Sequence, residues 1–111
     1  MNKYNYSTAY DVCLLSAKCM TLPRFREVVR TKEWRVRDYH WENTNKLLSP
    51  ETGFIGCKTG ITDAAGPCFS GCYEGQEGER LLVVVLNSRS MEQRWVEVPQ
   101  MVEWVIKRRK G

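Results

Sequence analysis

The run Gly56-Cys57-Lys58-Thr59-Gly60-Ile61-Thr62-Asp63-Ala64-Ala65-Gly66 gathers groups able to receive an anion. Lys58 supplies a fixed positive charge that attracts a carboxylate, and Thr59 adds a hydroxyl donor to the same anion. Gly60 has no Cβ, so a substrate backbone can approach closely. A peptide could lie antiparallel along this segment as an added strand, with its C-terminal carboxylate held at one end. The same three residues also read as a strand running into a turn, with Lys58 solvated and Gly60 supplying a positive φ.

Other chemistry is sparse. The five cysteines Cys13, Cys19, Cys57, Cys68 and Cys72 are odd in number and show no Cys-x-x-Cys spacing. Free thiols are expected, with Cys13 and Cys19 acting as small apolar residues of a helix. His40 is the only imidazole, so neither a metal site nor a cofactor is expected. No serine has a lysine three positions on, and Ser16-Ala17-Lys18 is one residue too short for that spacing.

These groups must be positioned by a chain of 111 residues, a length suited to a single domain over residues 1–111. Its 42% hydrophobic and 27% charged content is that of a folding sequence. The net charge is +4, and the cluster Lys107, Arg108, Arg109 and Lys110 reads as a solvated helix end complementing the dipole. With no basic face interleaved with stacking aromatics, nucleic acid is not an expected partner. No apolar run approaches the roughly 20 residues that cross a bilayer. Met1-Asn2-Lys3-Tyr4 leads into no signal core, so the compartment stays unassigned.

Hydrophobic spacing predicts a helix over about residues 8–21 behind the hydroxyls of Ser7 and Thr8. A shorter helix follows from Pro23 to about Thr31, with Phe25, Val28 and Val29 on one face. Trp34, Val36, Tyr39 and Trp41 predict an edge strand or hairpin. Asn43-Thr44-Asn45 is a polar turn, Leu47-Leu48 a buried step, and residues 49–53 a loop. Strands are expected at Phe54–Thr59, Pro67–Tyr73 and Arg80–Asn87, paired as an antiparallel meander. The unbroken apolar run Leu81–Leu86 predicts a central strand covered on both faces. Ser88 should cap a last helix carrying Met91, Trp95, Val98, Val102 and Val105, kinked or split near Glu97 and Val98 by Pro99. The fold class is α+β, an antiparallel sheet of three to five strands flanked by helices.

Several blocks, in order, resemble the serine-type D-alanyl-D-alanine carboxypeptidases of the low-molecular-mass penicillin-binding protein family. Ser7-Thr8-Ala9-Tyr10-Asp11 is similar to the start of a family helix, and Phe25 to Thr31 to the segment after it. Asn43-Thr44-Asn45-Lys46-Leu47-Leu48 matches the step before the active strand, and Gly56 to Gly66 resembles the Gly-x-Lys-Thr-Gly-x-Thr-x-x-Ala-Gly signature. Leu82 to Leu86, Arg94 and Trp104 fall where the family has its next strand and last helix. The resemblance implies the C-terminal half of a transpeptidase or β-lactamase-like fold. In that family a serine with a lysine partner attacks the bond between two D-alanines, forms an acyl-enzyme and passes it to water. Lys58 and Thr59 would then bind the terminal carboxylate, Gly60 would admit the peptide, and the backbone N–H of Ile61 would be one oxyanion donor.

The family's Ser-x-x-Lys and Ser-x-Asn motifs lie N-terminal to the helix that begins at Ser7, so no catalytic residue is assigned in this chain. The partners implied are a peptide ending in D-Ala-D-Ala and either the absent N-terminal half or another protein chain. The alternative is a non-catalytic packing or peptide-binding subunit derived from the same fold. With helices of the other half absent, an apolar patch is expected around the Leu81–Leu86 strand, leaving the isolated chain aggregation-prone or oligomeric.

Overall fold

A computed structural model describes residues 5–49 and 51–110, with the side chain of Lys110 excepted. Met1 to Tyr4 and Pro50 of the expected loop therefore lie outside the described residues. The chain runs α1 (Ala9–Cys19), α2 (Pro23–Val29), β1 (Glu33–Val36), β2 (Tyr39–Glu42), β3 (Phe54–Thr62), β4 (Gly66–Glu74), β5 (Arg80–Val85) and α3 (Gln93–Lys110). It is an α+β fold with a two-stranded and a three-stranded antiparallel sheet.

Local chemistry sets the helix boundaries. Thr8 Oγ1 accepts from Asp11 N–H at 3.1 Å, and Asp11 and Lys18 stand at the ends where their charges complement the dipole. Pro23 opens α2, where its missing N–H costs nothing. Ser90, not Ser88, accepts from Gln93 N–H at the start of α3. Ser88 Oγ instead donates to Glu97 Oε1 at 3.4 Å. Pro99 lies inside an unbroken α3, so the expected two-piece helix is not formed. Val98 and Val102, buried side by side on one face, hold the turns on either side of Pro99 against the same sheet. At the far end Lys107 pairs with Glu103 at 2.9 Å and Arg108 lies 4.7 Å from the Trp104 ring, as a solvated helix end should.

The sheet order is β3-β4-β5, so the Leu81–Leu86 run is an edge and not the centre. Two consecutive tight antiparallel connections put β4 in the middle whatever its composition, and its sequence Gly66-Pro67-Cys68-Phe69-Ser70-Gly71-Cys72-Tyr73 is less apolar than that of β5. Both faces of β5 nonetheless meet helices: Val83 joins the α3 core, while Val84 faces the residues of α1. On the α3 side Leu47, Phe54, Phe69, Val83, Val98 and Val102 form the core, with Trp95 edge-on to Phe69 at 5.1 Å. On the other side α1 packs on β4 and β5, and α2 on β3.

The hairpin pairs Trp34 with Trp41 and Val36 with Tyr39, and turns through Arg37 at φ 55°. All of its residues are exposed. The open apolar surface is thus not centred on Leu81–Leu86 as expected. It reaches that run only at Leu86, beside Leu15 at the groove, and lies otherwise on the outer side of α1 at Tyr10 and Leu14 and on the hairpin at Trp34, Tyr39 and Trp41. The cause is helical periodicity: in α1 the apolar residues not directed at the sheet have nothing else to pack on among the described residues. Val28 likewise points outward, leaving Phe25 and Val29 as the half-buried face of α2.

Candidate functional site

A groove of about 370 Å³ opens between α1 and the sheet, with Lys58, Thr59 and Gly60 along one wall and Val12, Leu15 and Ser16 along the other. Strand β3 forms the first wall and is longer than its composition predicts. It continues through Gly60 and Ile61, which pair with Cys68 and Pro67, to end at Thr62. Lys58-Thr59-Gly60 therefore sits within a strand and not at a turn, and Gly60 has no positive φ. A Cβ built on Gly60 would meet nothing within 4 Å. Nothing in the described chain requires glycine there, and the space beside it is open.

Because β3 is an edge strand, one side of its backbone beyond the bridges at Phe54 has no strand partner. Pro67 identifies which groups face that side. Its carbonyl accepts from Ser88 N–H, so the backbone of Pro67 points toward β5. In an antiparallel ladder the residue opposite, Ile61, then forms a non-hydrogen-bonded pair with it. The N–H and C=O of Ile61 are accordingly directed to the free edge, and those of Thr59, two residues earlier, share that direction. The Ile61 side chain is also exposed.

The side chains of the triplet are held locally. Lys58 is exposed at the groove rim, and its Nζ donates to the Thr59 carbonyl. Thr59 Oγ1 is 2.5 Å from Thr44 Oγ1. Thr44 is placed there by the Asn43-Thr44-Asn45 turn. Asn43 Nδ2 donates to the carbonyls of Val29 and Thr31 at the end of α2, its Oδ1 accepts from Asn45 N–H, and Asn45 Oδ1 accepts from Leu47 N–H. The turn therefore couples α2, the hairpin and β3, a role its spacing alone did not announce.

At the floor of the groove Ser16 and Ser70, both buried, share a hydrogen bond at 2.7 Å that ties α1 to β4. Ser70 is the register partner of Lys58. Sequence spacing missed this pair because its members are far apart in the chain and neither stands in a nucleophile motif. Among the described residues no serine hydroxyl is hydrogen-bonded to a lysine or histidine. The Cys57 and Cys72 thiols are poor nucleophiles as well. All five are free, and burial raises the Cys57 thiol, with the neighbouring Cys19 adding to it. Burial likewise pushes Cys72 up to about 11, helped by Cys57 and Glu74. Both shifts disfavour the thiolate, the form that attacks. No helix among the described residues is long and apolar enough to cross a membrane.

Comparison with known proteins shows the family and the fold. The D-alanyl-D-alanine carboxypeptidase family matches residues 1–90. The D-alanyl-D-alanine carboxypeptidase of Streptomyces sp. strain K15 is 29% identical over 114 residues, covering 93% of this chain and 38% of that protein. The crystal structure of the Streptomyces K15 DD-transpeptidase superposes with a TM-score of 0.87 at 30% identity, over 93% of this chain and 43% of the other. Penicillin-binding protein D2 from Listeria monocytogenes, in its cefotaxime-bound form, superposes with a TM-score of 0.78 at 35% identity, over 87% of this chain and 40% of the other. The chain thus spans about two-fifths of the length of the relatives it matches. With the family match extending over most of its residues, the chain belongs to the D-alanyl-D-alanine carboxypeptidase family.

Proposed function

We propose that the free edge of β3 is the substrate strand of a serine-type D-Ala-D-Ala carboxypeptidase site acting on peptidoglycan stem peptides. The peptide lies antiparallel on β3 and takes its backbone hydrogen bonds from the outward-directed groups of Thr59 and Ile61, with Lys58 Nζ turning from the Thr59 carbonyl to the peptide's carboxylate. Its terminal carboxylate is received by the Lys58 ammonium and the Thr59 hydroxyl. The Ile61 N–H is one donor to the oxyanion that forms when the peptide carbonyl is attacked. The attacking serine and its lysine come from residues other than those of this chain, and the 111 residues act with them as one unit. The acyl-enzyme they form is released by water. The observation that carries this reading is the combination of an edge strand, an Ile61 N–H directed outward and an empty space beside Gly60.

A second reading, a non-catalytic peptide-binding element, draws support from the absence of any serine with a lysine three residues on. Both readings require Lys58. Binding of a D-Ala-D-Ala peptide measured by calorimetry should weaken in Lys58→Ala by about 10-fold to 150-fold, the value of a charge-assisted hydrogen bond, with an unchanged circular dichroism spectrum. Equal affinity in wild type and variant would refute the anion-receiving role. Exposure to a labelled penicillin tests what the two readings share: a covalent adduct on a serine of this chain would show that the nucleophile is here, against both.

A further inference from the structure

The outer face of the hairpin carries a second constellation, independent of the groove. We propose that Glu33, His40 and Glu42 form a binding site for a divalent cation of the zinc class. The register sets Glu33 directly opposite Glu42, and Arg35 opposite His40. Strand alternation turns these four side chains to one face of the ribbon and Trp34, Val36, Tyr39 and Trp41 to the other. One imidazole nitrogen and one oxygen from each carboxylate lie within 4.8 Å of one another. His40 Nε2 is 3.3 Å from Glu33 Oε2, close to the ~3.4 Å edge of a tetrahedron with ligand bonds of about 2.1 Å. The nearest pair already stands at ligating distance, and Glu42 closes on it by side-chain rotation alone.

Charge favours the same conclusion. Two carboxylates directly opposite on a ribbon repel each other. Arg35 answers only Glu33, at 4.0 Å and in full solvent, and Glu42 makes no salt bridge among the described residues. A cation between the three ligands removes that repulsion. The donor set selects the ion: one imidazole with two carboxylates suits zinc and its first-row neighbours, whereas magnesium and calcium favour all-oxygen shells. Three protein ligands leave a fourth tetrahedral position for water. The ion would bridge β1 to β2 at the end of the hairpin away from its turn, beside Asn43. An isolated two-stranded ribbon is marginal in water, so such a bridge would order it.

The test uses the whole chain with cobalt(II) as a spectroscopic probe, followed by competition with zinc(II). Expected are one ion per chain, a tetrahedral visible spectrum without a sulfur-to-cobalt band, and slower amide exchange across residues 33–42. His40→Ala, Glu33→Gln and Glu42→Gln should each weaken binding by about 10-fold or more, since loss of even an outer-sphere partner costs that much. These side chains are exposed, so the variants should keep the wild-type fold. A sulfur-to-cobalt band would assign the ion to the cysteines. Magnesium binding of equal strength would reduce the site to a counter-ion cloud, and unchanged affinity in the three variants would remove it. Each of those results overturns the proposal.

Discussion

On the α3 side of the sheet Phe69 is 1% exposed and Val98 0%, whereas on the α1 side Leu15 is 63% exposed and the one buried residue of the helix is Ser16. The α3 side is packed by the chain's own apolar groups. The α1 side is joined to the sheet by a hydroxyl pair and keeps a groove along β3. The apolar core and the candidate groove are thus allotted to opposite faces of the same strands. Apolar burial of about 1.5–3 kcal/mol per large side chain anchors the sheet from behind, so its front edge can remain unpaired. The charge of Lys58, register partner of the α1-facing Ser70, stands on that less finished side.

The contrast can be broken in several ways. Phe69→Ala removes a sealed ring packed on Trp95 and should cost about 3–5 kcal/mol, read as a collapse of the thermal transition. Ser16→Ala leaves the Ser70 hydroxyl buried without its partner and should cost about 1–3 kcal/mol. The double variant Ser16→Ala/Ser70→Ala should cost less than the two single losses combined, and strict additivity would show that the pair does not join the faces.

Alkaline pH probes the half-buried thiols between these extremes. An ordinary thiol ionises near 9.0, while Cys72 in the fold holds its proton to about 11. The folded state binds more protons across that interval, so this contribution to stability is complete below pH 9.0 and is lost as pH rises through about 11. Thermal melts should decline over that window, and less steeply in Cys72→Ala. The smallest effect belongs to the hairpin. Trp41→Ala removes an exposed ring stacked on Tyr39 and should cost about 1 kcal/mol or less. A loss as large as that of Phe69→Ala would place the core where the structure does not.

Much of this division was legible in the residues. Thr8 and Pro23 mark helix starts by their own chemistry, and the alternation and glycines of residues 54–87 announce a meander. The β5 run misled because hydrophobicity records how well a strand is covered, and helices on both sides can cover an edge strand as they would a central one. Ser88 misled because Ser88 and Ser90 are equally able to cap, and only the path of the chain after Asn87, at φ 55°, decides which reaches Gln93. The metal-site argument from Cys-x-x-Cys spacing had no means of finding Glu33, His40 and Glu42, whose proximity arises across a turn.

The sequence by itself determined the element types and the antiparallel pairing, and it singled out Lys58-Thr59-Gly60 as the candidate triplet, because periodicity, capping and turn chemistry act within a few residues. Only the tertiary structure decided that β3 lies at an edge, that Ile61 turns its N–H outward, and that Ser16 meets Ser70. Those facts depend on which strand neighbours which and on the register between distant segments, and that register is selected by the packing of the whole sheet against α1 and α3.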